Sequence, residues 1–156
     1  MTPEQPDLVK GLTVDKAAPI LAMGTAVRLA AGACLFRLGD AAESVYLIRR
    51  GRIALMLPMQ IGGRDADVVV EEHEPGQTLG WSALIPPHRF TLTATAPVAT
   101  EVLAFRRADL VDYCAAHPEV GYVVALNIAA VVGQRLLVFQ AMWLRQMQRS
   151  VSQVHA

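Results

Sequence analysis

The run Ala30–Leu55, AAGACLFRLGDAAESVYLIRRGRIAL, decides the fold class. Its pieces CLFRL, SVYLIRR and RIAL are short and rich in Leu, Ile, Val, Phe and Tyr. AAGA, LGDAAE and RRGR separate them with residues that suit reversals. Such pieces are too short for helices of ordinary length, so they read as strands. Gly51, between Arg50 and Arg52, can take the positive φ that a tight strand-to-strand turn requires. The run is therefore read as an antiparallel strand–turn–strand unit.

The same grammar extends in both directions, from Ala26 to Arg107. AVRLA precedes the unit, and DVVVEEH, FTLTATA and VATEVLAF follow it, with IGGRD at Ile61–Asp65 as a hairpin tip and HEPGQ as a further turn. Closely spaced short strands of this kind predict a mainly β, antiparallel domain, a β-roll or jelly-roll barrel. Helices flank it. LTVDKAAPILAMG predicts a short N-terminal helix capped by Thr13, with Leu12, Ile20 and Leu21 inward and Gly24 as its stop. RRADLVDYCAAH sets Leu110, Val111 and Cys114 at helical spacing. Pro118 and Glu119 then open a long C-terminal helix reaching about Arg149. The expected organisation is a flexible arm over residues 1–10, a β domain with flanking helices over 11–118, a helix over 119–149 and a tail over 150–156.

Composition narrows the function. In 156 residues, 53% are hydrophobic and 18% charged, which is apolar enough to imply that some surface meets another molecule. Lys and Arg together number 14, as do Asp and Glu, so no net charge draws the chain onto nucleic acid or an anionic membrane. After Glu119 there are three arginines, Arg135, Arg145 and Arg149, and no acid. Cys34 and Cys114 lack CxxC spacing and read as buried thiols in a cytoplasmic protein. The opening MTPEQPDLVKGL has neither the basic start nor the apolar run of a signal peptide. Val120–Leu144 is apolar but interrupted by Asn127, Gln134, Arg135 and Gln140, so membrane insertion is not expected. The long helix instead shows two stripes. Val120, Val123, Val124, Asn127, Val131 and Gln134 form one, and Leu126, Ala130, Gly133, Leu137, Gln140 and Leu144 form the other. One face can cover the β domain while the other meets a second copy of the chain.

Few residues carry chemistry. His73, His88, His117 and His155 have no HxH or HxxxH spacing, and no metal centre is expected. VEEHEP, Glu71–Pro75, reads as a charged strand end before it reads as a cation site. Ser82 in GWSAL lacks the second glycine of GxSxG, and no catalytic constellation accompanies it, so the chain is not read as an enzyme. The best site is Gly80–Ala96, GWSALIPPHRFTLTATA. Gly80, Ser82 and Ala83 can build a tight turn whose N–H groups meet an anion, with Arg89 to neutralise it. Thr91, Thr93 and Thr95 share one strand parity. The alternative is a packed loop in which Trp81 and Leu84 plug the mouth of the β domain.

With these motifs in view, the chain resembles the cyclic nucleotide-binding domain of catabolite activator proteins, kinase regulatory subunits and gated channels. Gly32, Gly39, Asp40, Tyr46, Leu47 and Gly51 match its strand–turn–strand signature, and FRRADLVDYCAAHPEVG looks like the helix that leads into its long final one. The resemblance makes residues 80–94 a phosphate-binding cassette. In the family a glutamate after the cassette glycine holds the ribose hydroxyl, and an arginine shortly before a Thr or Ser pairs with the phosphate. Here Gly80 matches and Trp81 stands in the glutamate position. An ungapped alignment puts Phe90 at the arginine position and Thr93 at the hydroxyl, while Arg89 fits only after a one-residue slip within PPHRF. Replacing a buried hydrogen-bonding carboxylate by an indole costs roughly 1–3 kcal/mol of ligand affinity. Two functions follow as expectations. One is a non-catalytic sensor or regulatory module accepting a cyclic mononucleotide or another anionic ligand, with ordinary cyclic AMP binding weak. The other is a ligand-free protein–protein interaction domain that keeps the fold. Both dimerise through the C-terminal helix. Neither touches DNA directly, since no reading head follows that helix, and neither needs a cofactor. The direction of Arg89 separates them.

Overall fold

The structure is a computed structural model that describes residues 5–154. Among the described residues, eight strands make two four-stranded antiparallel sheets. In chain order the strands are β1 (Thr25–Leu29), β2 (Cys34–Phe36), β3 (Ser44–Arg50), β4 (Ile53–Ile61), β5 (Arg64–His73), β6 (Thr78–Leu79), β7 (Thr93–Thr95) and β8 (Thr100–Arg106). One sheet runs β1-β8-β3-β6 and the other β2-β7-β4-β5. This corrects the expectation of a barrel: among the described residues the two sheets remain separate, with no ladder closing one onto the other. The reason lies in strand length. β2 and β7 have three residues each and β6 has two, so these strands have little backbone with which to extend a ladder around a closed circumference.

A single apolar core nevertheless joins the sheets. Val45, Leu47, Val102 and Phe105 come from one sheet and Phe36, Ile53 and Leu55 from the other. The β3–β4 reversal depends on Gly51, whose φ is +81° and whose missing Cβ would lie 2.6 Å from the Ala99 carbonyl oxygen. The glycine pair in IGGRD forms the tip of the β4–β5 hairpin, as the sequence predicts.

Among the described residues, three α-helices flank the sheets: α1 (Val14–Ala22), α2 (Arg107–Ala116) and α3 (Pro118–Val154). Thr13 caps α1 by accepting from the Lys16 amide at 3.3 Å, and Ala17 and Ile20 are its buried residues. Leu110 of α2 is buried, while Val111 is exposed. α3 continues past Arg149 into the stretch expected to be a tail. By length and composition alone it also meets the criterion for a membrane-spanning helix. The described part of the expected flexible arm is docked. Asp7–Val9 form a 3-10 turn, Leu8 and Val9 are buried, and Asp7 accepts hydrogen bonds from the Thr78 amide and hydroxyl. Asn127 of α3 closes over this segment by donating to the Leu8 and Lys10 carbonyls at 3.0 and 2.9 Å. Its amide therefore serves the chain's own backbone.

Candidate functional site

The cassette begins where β6 ends. Gly80 has φ +79°, and a Cβ there would sit 3.1 Å from a Tyr46 ring carbon and 3.2 Å from the Ser44 carbonyl oxygen, so both backbone angle and space demand glycine. Trp81–Ala83 follow as one 3-10 turn closed by Ala83 N–H to Gly80 O at 3.1 Å. Ser82 and Ala83 are buried and Trp81 is half-buried against the core. Arg107, at the start of α2, braces the turn from behind: its Nη1 donates to the Ala42 and Ala83 carbonyls at 2.9 and 3.2 Å.

The segment that follows the turn fixes the direction of Arg89. Residues 88–90 are laced to residues 39–42 by backbone hydrogen bonds. Gly39 N–H donates to Phe90 O at 2.8 Å, Phe90 N–H to Asp40 O at 3.0 Å and Ala42 N–H to His88 O at 2.8 Å. At the Ala41–Arg89 bridge that these bonds flank, successive side chains turn to opposite faces. Phe90 therefore points inward at 5% exposure, and Arg89 points outward, where its Nη1 donates to the Gly39 carbonyl at 2.9 Å. A one-residue slip would break this lacing and bring a charged side chain into the core in place of a phenyl ring.

Phe90 fills the position its inward direction gives it. Its ring stacks on Phe36 with centroids 3.7 Å apart and planes 8° from parallel, and Phe36 in turn meets Tyr46 at 5.8 Å. Burial pushes the Tyr46 phenol above its ordinary range, with Glu43 adding to the effect. What remains between Phe36, Gly80, Trp81, Ser82 and Phe90 is a cavity of about 10 Å³, room for about one water molecule. Thr91 is exposed, and Thr93 on β7 accepts from the Leu38 amide at 3.0 Å. The structure thus brings Gly80, Trp81, Ser82, Phe90 and Thr91 around one cavity, holds Ala83 in the turn beside it, commits Thr93 to the backbone and leaves Arg89 outside. A far larger groove of about 800 Å³ lies beyond Leu84 and Ile85, between α2 and α3, but residues such as Leu110, Val124 and Ile128 make its lining apolar. It offers little to a phosphate.

One arginine does border the small cavity, and it comes from α3. Arg135 is only 8% exposed, borders the cavity, and donates from Nε to Glu71 Oε2 at 2.6 Å. Glu71 lies on β5 beside His73, whose Nε2 stands 3.5 Å from the same carboxylate oxygen. Of the four histidines, His73 is thus buried at the strand end, His88 lies in the cassette loop, His117 follows α2, and His155 lies outside the described residues. Arg107 and Arg135 are the site residues that sequence reasoning missed. A signal existed for Arg135, a lone charge in the apolar run VVGQRLLVF, although it does not reveal the partner.

Comparison with known proteins agrees with this fold. The family model of the cyclic nucleotide-binding domain matches residues 26–117. The chain is 27% identical over 113 residues to lysophospholipase nte1 of Neurospora crassa, a match that takes in 72% of this chain and 7% of that protein. The chain thus spans a small fraction of that relative's length. The N-terminal domain of a transcriptional regulator from Streptomyces coelicolor matches with a TM-score of 0.69 at 25% identity, covering 85% of this chain and 91% of that one. For the catabolite activator protein of Thermus thermophilus the TM-score is 0.73 at 25% identity, with 91% and 63% covered. A cyclic nucleotide-binding domain from Methylobacillus flagellatus reaches 0.76 at 14% identity over 90% of this chain and 81% of that one, a likeness of fold.

Proposed function

Because the chain belongs to the cyclic nucleotide-binding domain family, we propose that it is a regulatory module whose cassette is closed by its own aromatic side chains, and that it acts through protein contacts without taking up a cyclic nucleotide. The observation that carries this reading is the backbone lacing of residues 88–90, which turns Phe90 onto Phe36 and Arg89 out to the Gly39 carbonyl. A cyclic nucleotide would have to displace that stack and would find neither a carboxylate at position 81 nor the Arg89 guanidinium. Charge-assisted hydrogen bonds contribute about 1.5–3 kcal/mol each. Losing two removes about two to four decades of affinity before any steric cost.

The protein contact in this reading is a second copy meeting α3. Beyond Arg135 the helix has no buried residue, yet Leu137, Leu144, Met147 and Val151 are exposed along one line with alternating spacings of three and four when Gln140 is included. That is the repeat of a two-helix seam.

Calorimetric titration of the purified chain with cyclic AMP and cyclic GMP tests the closed cassette. The expected outcome is no saturable heat. Tight, stoichiometric binding of either nucleotide overturns the proposal.

A further inference from the structure

Arg135 is the last buried residue of α3, and it is charged. A guanidinium removed from water is tolerated where it is paired and hydrogen-bonded. Glu71 supplies the pair, and the sheet is locally deformed in a way that lets it do so. The β4–β5 register steps from Leu55 opposite Glu71 to Met56 opposite Val69, leaving Val70 as the extra residue of a bulge. The bulge allows the adjacent Val70 and Glu71 both to be partly buried, where regular alternation would turn one of them out. His73 approaches the same carboxylate oxygen from Nε2 at 3.5 Å, with Nδ1 3.3 Å from Gln77 Oε1.

The same Arg135 borders the cassette cavity formed by Gly80, Trp81, Ser82 and Phe90. One side chain of α3 therefore meets both the second sheet and the cassette. Among the described residues, its guanidinium has one hydrogen bond, from Nε to Glu71, which leaves the terminal amino groups without a protein acceptor.

We infer that Arg135 is the built-in occupant of the cassette's polar space: tethered by Glu71, it latches α3 onto the closed cassette with no ligand bound. The inference rests on the closed-cassette reading and adds what holds α3 in place. Val120, Val124 and Ile128 fix the first part of the helix by apolar burial. Past them the Glu71–Arg135 pair is the buried polar contact, and Val132 and Phe139 on either side of it add partly buried apolar contacts to the core. Removing one partner strands an uncompensated charge, whereas replacing both by apolar residues of similar volume does not. The latch is thus a coupled pair whose two halves fail together.

Hydrogen exchange followed by mass spectrometry on wild type, Glu71→Gln, Arg135→Leu and the double variant Glu71→Leu/Arg135→Leu tests the latch. In each single variant, exchange over residues 131–146 is expected to rise at least about tenfold while 119–128 stays as in wild type. The double variant is expected to fall short of the summed single effects. Exchange over 131–146 unchanged in the single variants, or strictly additive effects, overturns the inference. Should Arg135→Leu fail to fold, Glu71→Gln keeps the side-chain shape while removing its charge and decides alone. Nucleotide titration of the same samples keeps the two ideas apart. Tight cyclic AMP binding by wild type defeats the closed cassette, whereas unchanged exchange defeats the latch whatever the titration shows.

Discussion

Arg89 and Phe90 are neighbours in sequence with opposite environments, and the contrast predicts opposite costs of truncation. Phe90 is 5% exposed and stacked on Phe36. Phe90→Ala is expected to lower unfolding free energy by about 3–5 kcal/mol, the range for a phenyl ring deleted from a core. Arg89→Ala removes an exposed side chain bonded to one backbone carbonyl and is expected to change stability by less than about 0.5 kcal/mol. Urea denaturation of the two variants measures both, and equal losses would overturn the assignment of faces. Sequence reading locates Gly80 and sees the conflict between Arg89 and Phe90. It leaves the register open because the pairing partner, Gly39–Ala42, lies about fifty residues away.

β5 and α3 meet through charge, so their contact depends on pH. The His73 ring beside Glu71 holds its carboxyl below the ordinary carboxylate range; burial opposes this, and Arg135 adds to the lowering. A carboxyl whose pKa is depressed by folding stabilises the fold above its unfolded-state pKa, and that contribution is lost as pH falls through the lowered folded-state value. Wild type is therefore expected to be more stable than Glu71→Gln at neutral pH, with the gap closing on acidification below the ordinary carboxylate range. Urea midpoints measured from neutral pH down to about pH 3 follow the gap, and a difference that stays constant with pH would contradict the prediction. The elements themselves were largely legible. Helical spacing, the Thr13 cap and Pro118 mark α1, α2 and the start of α3, and the hairpin glycines mark β4 and β5. The bulge at Val70 was not, since VVVEEH reads only as a strand with a charged end until β4 supplies the register.

At the scale of the whole molecule the chain is a regulatory module of the cyclic nucleotide-binding domain family, built on two separate sheets. Its exposed seam on α3 predicts self-association. Sedimentation of the purified chain at micromolar concentration is expected to show a dimer, and Leu137→Glu with Leu144→Glu to weaken it at least about tenfold, because each buries a charge in the seam. A monomeric wild type, or one that partitions into lipid vesicles instead of pairing, would overturn this. The sequence by itself determined the β class, the flanking helices, the turns and the cassette's position, because glycine spacing, caps and hydrophobic period act over a few residues. Only the tertiary structure decided that the sheets stay unclosed, that Phe90 and not Arg89 turns into the cassette, and that Arg135 of α3 borders it. Each of these depends on which distant backbone or side chain is brought alongside, and neither local period nor composition encodes that pairing.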